Sequence, residues 1–358
     1  MKKKILAVVM TAAMAMSVLT GCASKYTIAP KQPEPERQVI EVEPGSGESA
    51  DEANASGKPA TDRSGNEVSI PDEIDAIVSM APSTTQILID LGLADKIIAC
   101  DTYSAASYGD VLAKDIPQFD MMTPDQEQII ALGADVVFTT GMSASHGEDV
   151  FASVKEAGVC VCDTPSSASL EDIQKDIEFF GAAVGKSDEA AKINKEMSDS
   201  IEEIKEIASK IPEEEKKTVL FELFTPSGDT PTIYTAGSNT YINEMIDIVG
   251  AENVAGKEAE QWPALTEEAA VGMDPQVILT ADMYTDDVIN VLLSMKGWEN
   301  VTAIKDKAVY QIDNDTVNRP NQHVISAMIE MGKDIYPDYY KDVVDPFADE
   351  EAEEKAAA

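Results

Sequence analysis

Two α/β lobes, each with a central, mostly parallel sheet and joined by one long helix, are what this 358-residue sequence predicts. Three observations carry the prediction. Short apolar runs alternate with helix-like runs up to about residue 186, and the alternation starts again after residue 211. Between them, residues 187–211 place Ile193, Met197, Ile201, Ile204, Ala208 and Ile211 at spacings of 4, 4, 3, 4 and 3. That is the period of a helix with one buried stripe. Ser187 is a candidate cap, Asp188 and Glu189 suit the first turn, Lys210 suits the last, and Pro212 stops the run. Asp188 with Lys192 and Glu206 with Lys210 are acid-before-base pairs four apart. Such a helix spans roughly 37 Å at 1.5 Å per residue. It reads either as a crossover helix inside one domain or as a stiff strut between two lobes; the repeated pattern on its two sides favours the strut.

In the first half, strands are expected over 77–80, 96–100, 135–140 and 159–162. A helix is expected to open in Ala81-Pro82-Ser83-Thr84-Thr85-Gln86, where Ser83 and Gln86 have the spacing of a capping box, and to run to Leu91; others are expected over 124–132 and 148–157. Strands alternating with helices at this spacing imply a parallel, Rossmann-like sheet with right-handed crossovers. Ligands sit beyond the carboxyl ends of such strands. Those ends carry Met80, Ser83, Thr84, Tyr103, Met142 and His146. In the second half, strands are expected over 218–223, 232–234, 276–280 and 308–312, and helices over 241–249, 286–295 and 321–335. The predicted division is an export signal over 1–22, a tether over 23–62, a lobe over 63–186, the helix over 187–211, a second lobe over 212–345 and an acidic tail over 346–358.

The first 22 residues read as an export signal. Lys2, Lys3 and Lys4 precede an apolar run too short for a permanent span, which ends in Leu19-Thr20-Gly21-Cys22. This is similar to a lipobox, in which the cysteine takes lipid and becomes the mature N-terminus; an ordinary cleaved signal with an incidental cysteine is the alternative. The expected product is anchored by acyl chains to the outer face of the cell membrane. The following segment is rich in Pro, Glu, Ser and Gly and has too few large apolar residues to build a core.

There are 66 Asp and Glu against 27 Lys and Arg, which disfavours nucleic acid as a partner. Cys160 and Cys162 alternate on one strand, poorly placed to bridge each other, and with Cys100 they read as small buried side chains. Two histidines in the whole chain make a Cys/His zinc site improbable. No nucleophile–base pair, Gly-rich phosphate loop or metal-ligand cluster emerges, so an enzyme is not expected.

The chain resembles the class III solute-binding proteins of ABC importers, which capture cobalamin, ferric siderophores or haem. The resemblance runs from about Gly65 to Pro337. It rests on GNEVSIP at 65–71, IVSMAPSTTQILIDLGL at 77–93, QEQIIALGADVVF at 126–138, Glu252-Asn253-Val254, Trp262 to Glu268, Gly297-Trp298 and Arg319-Pro320, in that order around the central helix. It implies a monomeric clamp whose partners are a permease with its ATPase and a small metal chelate. No cofactor is implied beyond the iron or cobalt that the ligand itself carries. It also implies that one glutamate on each lobe docks on permease arginines, which falls on Glu127 and on Glu268, with Glu267 the near alternative.

Trp262 matches an aromatic that the family sets against ring ligands. Tyr103, Tyr108, Phe119, Tyr234 and Tyr284 are further flat surfaces near strand ends. Met80, Met121, Met122, Met142 and Met283 also fall near strand ends, as core packing, as an adaptable wall or as soft ligands to a metal. His146 is a weak candidate axial ligand. Arg319 is expected to face the cleft and read an anionic group. A cleft short of cations favours a corrinoid, a hydroxamate siderophore or haem over a catecholate. A sensor lipoprotein using the same clamp, or an enzyme on the same lobes, remains as the alternative.

Overall fold

A computed structural model describes residues 57–141, 149–226 and 232–348. Cys22, Met142 and His146, the export signal, the tether before Gly57 and the end of the acidic tail lie outside the described residues.

The first sheet contains β1 (Ile77–Ser79), β2 (Ile97–Asp101), β3 (Gln118–Phe119), β4 (Val136–Thr140) and β5 (Cys160–Thr164). Its order is β3-β2-β1-β4-β5, with every pair parallel. The second contains β6 (Thr218–Glu222), β8 (Glu252–Asn253), β10 (Val277–Thr280) and β11 (Val309–Gln311) in the order β11-β10-β6-β8, again all parallel. β7 (Thr232–Tyr234) and β9 (Ala264–Thr266) form a separate antiparallel ribbon. Every residue of β1 and β10 is buried, as expected of parallel strands covered on both faces. β3, β8 and β9 have two or three residues each, too few for a periodic signal.

Both sheets repeat one order, because β2-β1-β4-β5 and β8-β6-β10-β11 correspond strand for strand. In each, the chain leaves the first strand on one side and later returns on the other. That places a switch point between β1 and β4, and another between β6 and β10, where open α/β sheets take their ligands.

Two helices are capped differently from what the sequence predicts. α1 (Pro82–Asp90) begins at Pro82 with Ala81 as its cap, and no side chain caps it. The Ser83–Gln86 capping box does not form. The fixed φ of Pro82 sets the first turn instead, and Gln86 donates to Asp90 at 3.0 Å. The long helix, α6 (Ser187–Ala208), is unbroken, but Lys186 is its N-cap and it ends three residues before Ile211. Its ion pairs are Lys186–Glu189 and Lys195–Asp199, in place of the two predicted.

The 15-residue α5 (Leu170–Val184), capped by Ser169, is an element beyond those predicted. It changes the setting of α6. α6 packs on α5 from the first half, and on α7 (Tyr241–Ile248), α12 (Val324–Ile335) and α13 (Pro337–Tyr340) from the second. One apolar cluster runs from Ile77, Phe138 and Phe180 through Met197, Ile201 and Ile204 to Phe221, Met328 and Tyr340. The helix is therefore a shared buttress inside a continuous core, rather than a bare strut, and the described residues fall in one compact unit.

Gly181 makes the α5–α6 approach possible. A Cβ there would overlap the Cβ of Ala190, and both atoms are fixed to backbone. Gly181→Ala should lower stability by about 1–3 kcal/mol as the helices are pushed apart, outweighing the roughly 1 kcal/mol that alanine gains in a helix. The urea unfolding midpoint reads the change; a midpoint that rises would show that the helices separate at no cost.

Candidate functional site

Beyond the carboxyl end of β6 the chain continues through Leu223, Phe224 and Thr225. Beyond β10 it continues through Ala281, Asp282, Met283 and Tyr284. Asp282 ties these loops together. Its buried carboxylate accepts from Thr225 N at 2.9 Å, Tyr284 N at 2.7 Å and Thr285 Oγ1 at 2.7 Å. Burial opposes ionisation, yet these donors hold its pKa down at about 2. The clasp leaves the rings of Phe224 and Tyr284 stacked, with centroids 6.1 Å apart and planes 25° apart.

The ribbon adds to the same end. Leu223 N donates to Tyr234 O at 3.0 Å, and Thr235 N donates to Pro263 O at 3.2 Å, the residue after Trp262. Phe224, Tyr234, Trp262, Met283 and Tyr284 are 48%, 40%, 38%, 54% and 67% exposed. These are large side chains left to water. Tyr234, Trp262 and Met283 are expected near the ligand from sequence; Phe224 is not, although it follows a strand as they do. Beneath them Glu222, the buried last residue of β6, accepts from Thr280 Oγ1, and its Oε1 has no partner. Burial pushes Glu222 up to about 7.

The first sheet contributes less than expected. Tyr103 is exposed on α2 (Thr102–Ser107), a helix capped by Asp101 where the sequence pattern suggests a loop, and Ser83 is half-buried at the start of α1. Met80 and Phe119 are corrections: both are buried in one apolar cluster with Val78, Met121 and Val137. Thr84 is another, at 1% exposed. A strand's last residues still alternate between faces, so position near the strand end does not decide exposure.

Arg319 is also corrected. Its guanidinium pairs with Asp315, donates at 2.8 Å to both Tyr108 Oη and Ser107 Oγ, and lies 5.5 Å from the Tyr108 ring centroid. Its donors join the second half to α2 and are not held out as a fork for an anion. Nearby, Gln322 donates to Asp90, and His323 Nε2 lies 3.1 Å from the same oxygen.

Over residues 77–316 the sequence matches the periplasmic binding protein family. The ABC transporter substrate-binding lipoprotein YvrC of Bacillus subtilis is 31% identical over 309 residues, 83% of this chain and 94% of its own. The chain belongs to the periplasmic binding protein family. It is a substrate-binding lipoprotein of the ABC-transporter kind and not an enzyme. The vitamin B12-binding protein of Vibrio parahaemolyticus is 27% identical over 264 residues, covering 72% of this chain and 88% of its own. Among solved structures, molybdate-bound MolA of Haemophilus influenzae matches with a TM-score of 0.67 at 20% identity, covering 79% of this chain and 92% of its own. The haem-binding RhuT from Roseiflexus matches with a TM-score of 0.64 at 21% identity, covering 74% and 98%. These two likenesses speak for the fold alone.

As a periplasmic binding protein, this chain carries two acids in matched settings. Glu127 is the second residue of α3 (Gln126–Leu132) and Glu268 is the second residue of α8 (Glu267–Met273). Each helix is capped by a side chain, Asp125 or Thr266, and ends in a left-handed residue, Gly133 or Asp274. Each then leads into the strand beside its sheet's switch point, β4 or β10. Both glutamates are exposed. Glu267 differs, because it is half-buried and accepts from Trp298 Nε1 at 3.3 Å.

Glu222 makes stability pH-dependent. Its folded pKa lies above the ordinary carboxyl value of 4.5. The stabilisation its proton brings is present in full below that value and is lost as pH rises through about 7. Glu222→Gln should therefore flatten the fall in stability between pH 5 and pH 8, by roughly 3 kcal/mol at most. Denaturant midpoints across that range measure it; an unchanged slope would mean that Glu222 is ionised throughout.

Proposed function

We propose that this protein is the capture subunit of an importer for a metal chelate, and that a corrinoid is the ligand class its site suits best. The carrying observation is the exposed, stacked pair Phe224 and Tyr284 just beyond β6 and β10, with Tyr234, Trp262 and Met283 exposed on neighbouring segments. A flat, largely apolar macrocycle buries its faces well against such a surface. The two arginines of the described residues are both engaged, Arg63 with Asp176 and Arg319 with Asp315. This disfavours a strongly anionic guest. The names of relatives agree with the choice: vitamin B12-binding in Vibrio parahaemolyticus and cobalamin-binding in Halobacterium salinarum. Haem and hydroxamate siderophores are the other members of the class.

On this reading Cys22 carries the lipid that holds the protein at the outer face of the membrane. Glu127 and Glu268 dock on basic sockets of the permease. Their equal places in the two halves and their exposure support this role, and the contact of Glu267 with Trp298 favours Glu268 over its neighbour.

Cyanocobalamin, haemin and a ferric hydroxamate test the ligand by quenching of tryptophan fluorescence. Trp262 is exposed and Trp298 buried, so quenching should be largely lost in Trp262→Phe. Trp262→Ala should weaken binding at least about tenfold, as the loss of an aromatic anchor does. Absence of quenching by all three chelates would overturn the ligand class.

Docking has a separate readout. Glu127→Arg combined with Glu268→Arg should abolish uptake into cells while leaving the affinity of the isolated protein unchanged. Normal uptake by that variant would favour the sensor reading instead.

A further inference from the structure

The edge strand β5 opens with Cys160-Val161-Cys162, at the amino end of the first sheet, whereas the exposed aromatics follow strands of the second. Both cysteines are expected from sequence to be buried. Cys162 is buried, but Cys160 is only half-buried. Cys160 lines a cavity of about 290 Å³ together with Asn66, Glu67, Ser69, Lys155 and Val159. The two thiols are free, with their sulfurs 3.8 Å apart.

The two sulfurs are not equivalent. The contact with Cys160 and burial both push the Cys162 thiol up, so Cys162 is the sulfur that keeps its proton and can donate it across the 3.8 Å contact. That donation, the backbone N–H of Ser69 and the charge of Lys58 favour a Cys160 thiolate; burial and Asp62 oppose it, and the net effect lowers its pKa. A half-exposed thiolate beside a buried thiol is a nucleophile. The two cysteines do not suit a bridge to each other. Residues two apart on a strand have Cα atoms about 6.6 Å apart, near the upper limit of roughly 6.8 Å for a disulfide. The pairing of Cys160 with Val136 and of Cys162 with Phe138 pins that spacing.

The cavity has a chemistry of its own. Its wall carries a carboxylate on Glu67 and an ammonium on Lys155, the latter also paired with Asp149 at 2.8 Å. Its volume lies just below the roughly 300–1,000 Å³ of drug-sized pockets. The guest that matches is small and carries one ammonium and one carboxylate.

We propose that Cys160 is a site of reversible S-thiolation by a small zwitterionic aminothiol, supplied as that aminothiol's symmetric disulfide. The Cys160 thiolate attacks one sulfur of the disulfide. A new S–S bond forms to Cys160 as the old S–S bond breaks, and the second aminothiol leaves as a thiolate with the electron pair. The disulfide is the oxidant, and the oxidising surroundings of an exported protein supply such species. A reducing thiol reverses the step. This site is independent of the ligand assignment above.

The test uses the full chain with Cys22→Ser, so that Cys100, Cys160 and Cys162 are its thiols, and cystine as the probe. Intact mass and peptide mapping of the folded protein should show one cysteinyl group, on Cys160, removed by dithiothreitol. Cys160→Ser should lose the adduct and Cys100→Ser should keep it. Cys162→Ala should slow the reaction several-fold and move its rate-against-pH profile upward. Lys155→Ala should reduce the preference for cystine over uncharged hydroxyethyl disulfide. No adduct on the folded chain, an adduct on Cys100, or a mass loss of two hydrogens marking a Cys160–Cys162 bridge would each overturn the proposal. The mapping on the parent chain decides the matter even where a Cys162 variant fails to fold.

Discussion

The structure depends on one apolar seam, the stripe of Met197, Ile201 and Ile204 along α6. These side chains touch the helices of both halves, and the cores of the two sheets meet through them. Burying each contributes on the order of 1.5–3 kcal/mol, but the mechanical effect matters more. A packed core is bistable or rigid and does not deform continuously. The two switch points are therefore held at a spacing set by helix packing and not by a flexible linker.

On that rigid support the ligand end is built from polar clamps carrying apolar cargo. Asp282 gathers donors from two loops, and the rings of Phe224 and Tyr284 stack as a result. Both rings stay largely exposed, the kind of apolar surface that marks a contact site in other proteins. Arg319 serves the joint between the halves instead. With Tyr108 and Ser107 it fastens the second half to the first, beside the meeting of Asp90 with Gln322 and His323.

Much of this is legible in the sequence because it depends on period. The stripe of α6, the long strands of both sheets and the repeated alternation all come from spacings that survive folding. α5 carries the same kind of signal, in Leu170, Ile173, Ile177 and Phe180 after a capping Ser169, and lies outside the predicted elements all the same. The two-residue strands hold no period to read. Exposure of the named side chains is legible only in part. Tyr234, Trp262 and Met283 are exposed at the expected end, whereas Met80, Thr84 and Phe119 turn inward, since the face a side chain takes at a strand end depends on register. The partners of Arg319 on α2 lie more than 200 residues away in the chain, beyond any local pattern.

The carboxylate of Asp282 fixes how the two loops respond to acid. A group whose proton binds only near pH 2 stays charged in any ordinary surroundings of a cell. Mild acid therefore leaves the clasp charged, and any pH response at this end falls to Glu222, whose carboxyl takes up its proton near neutrality.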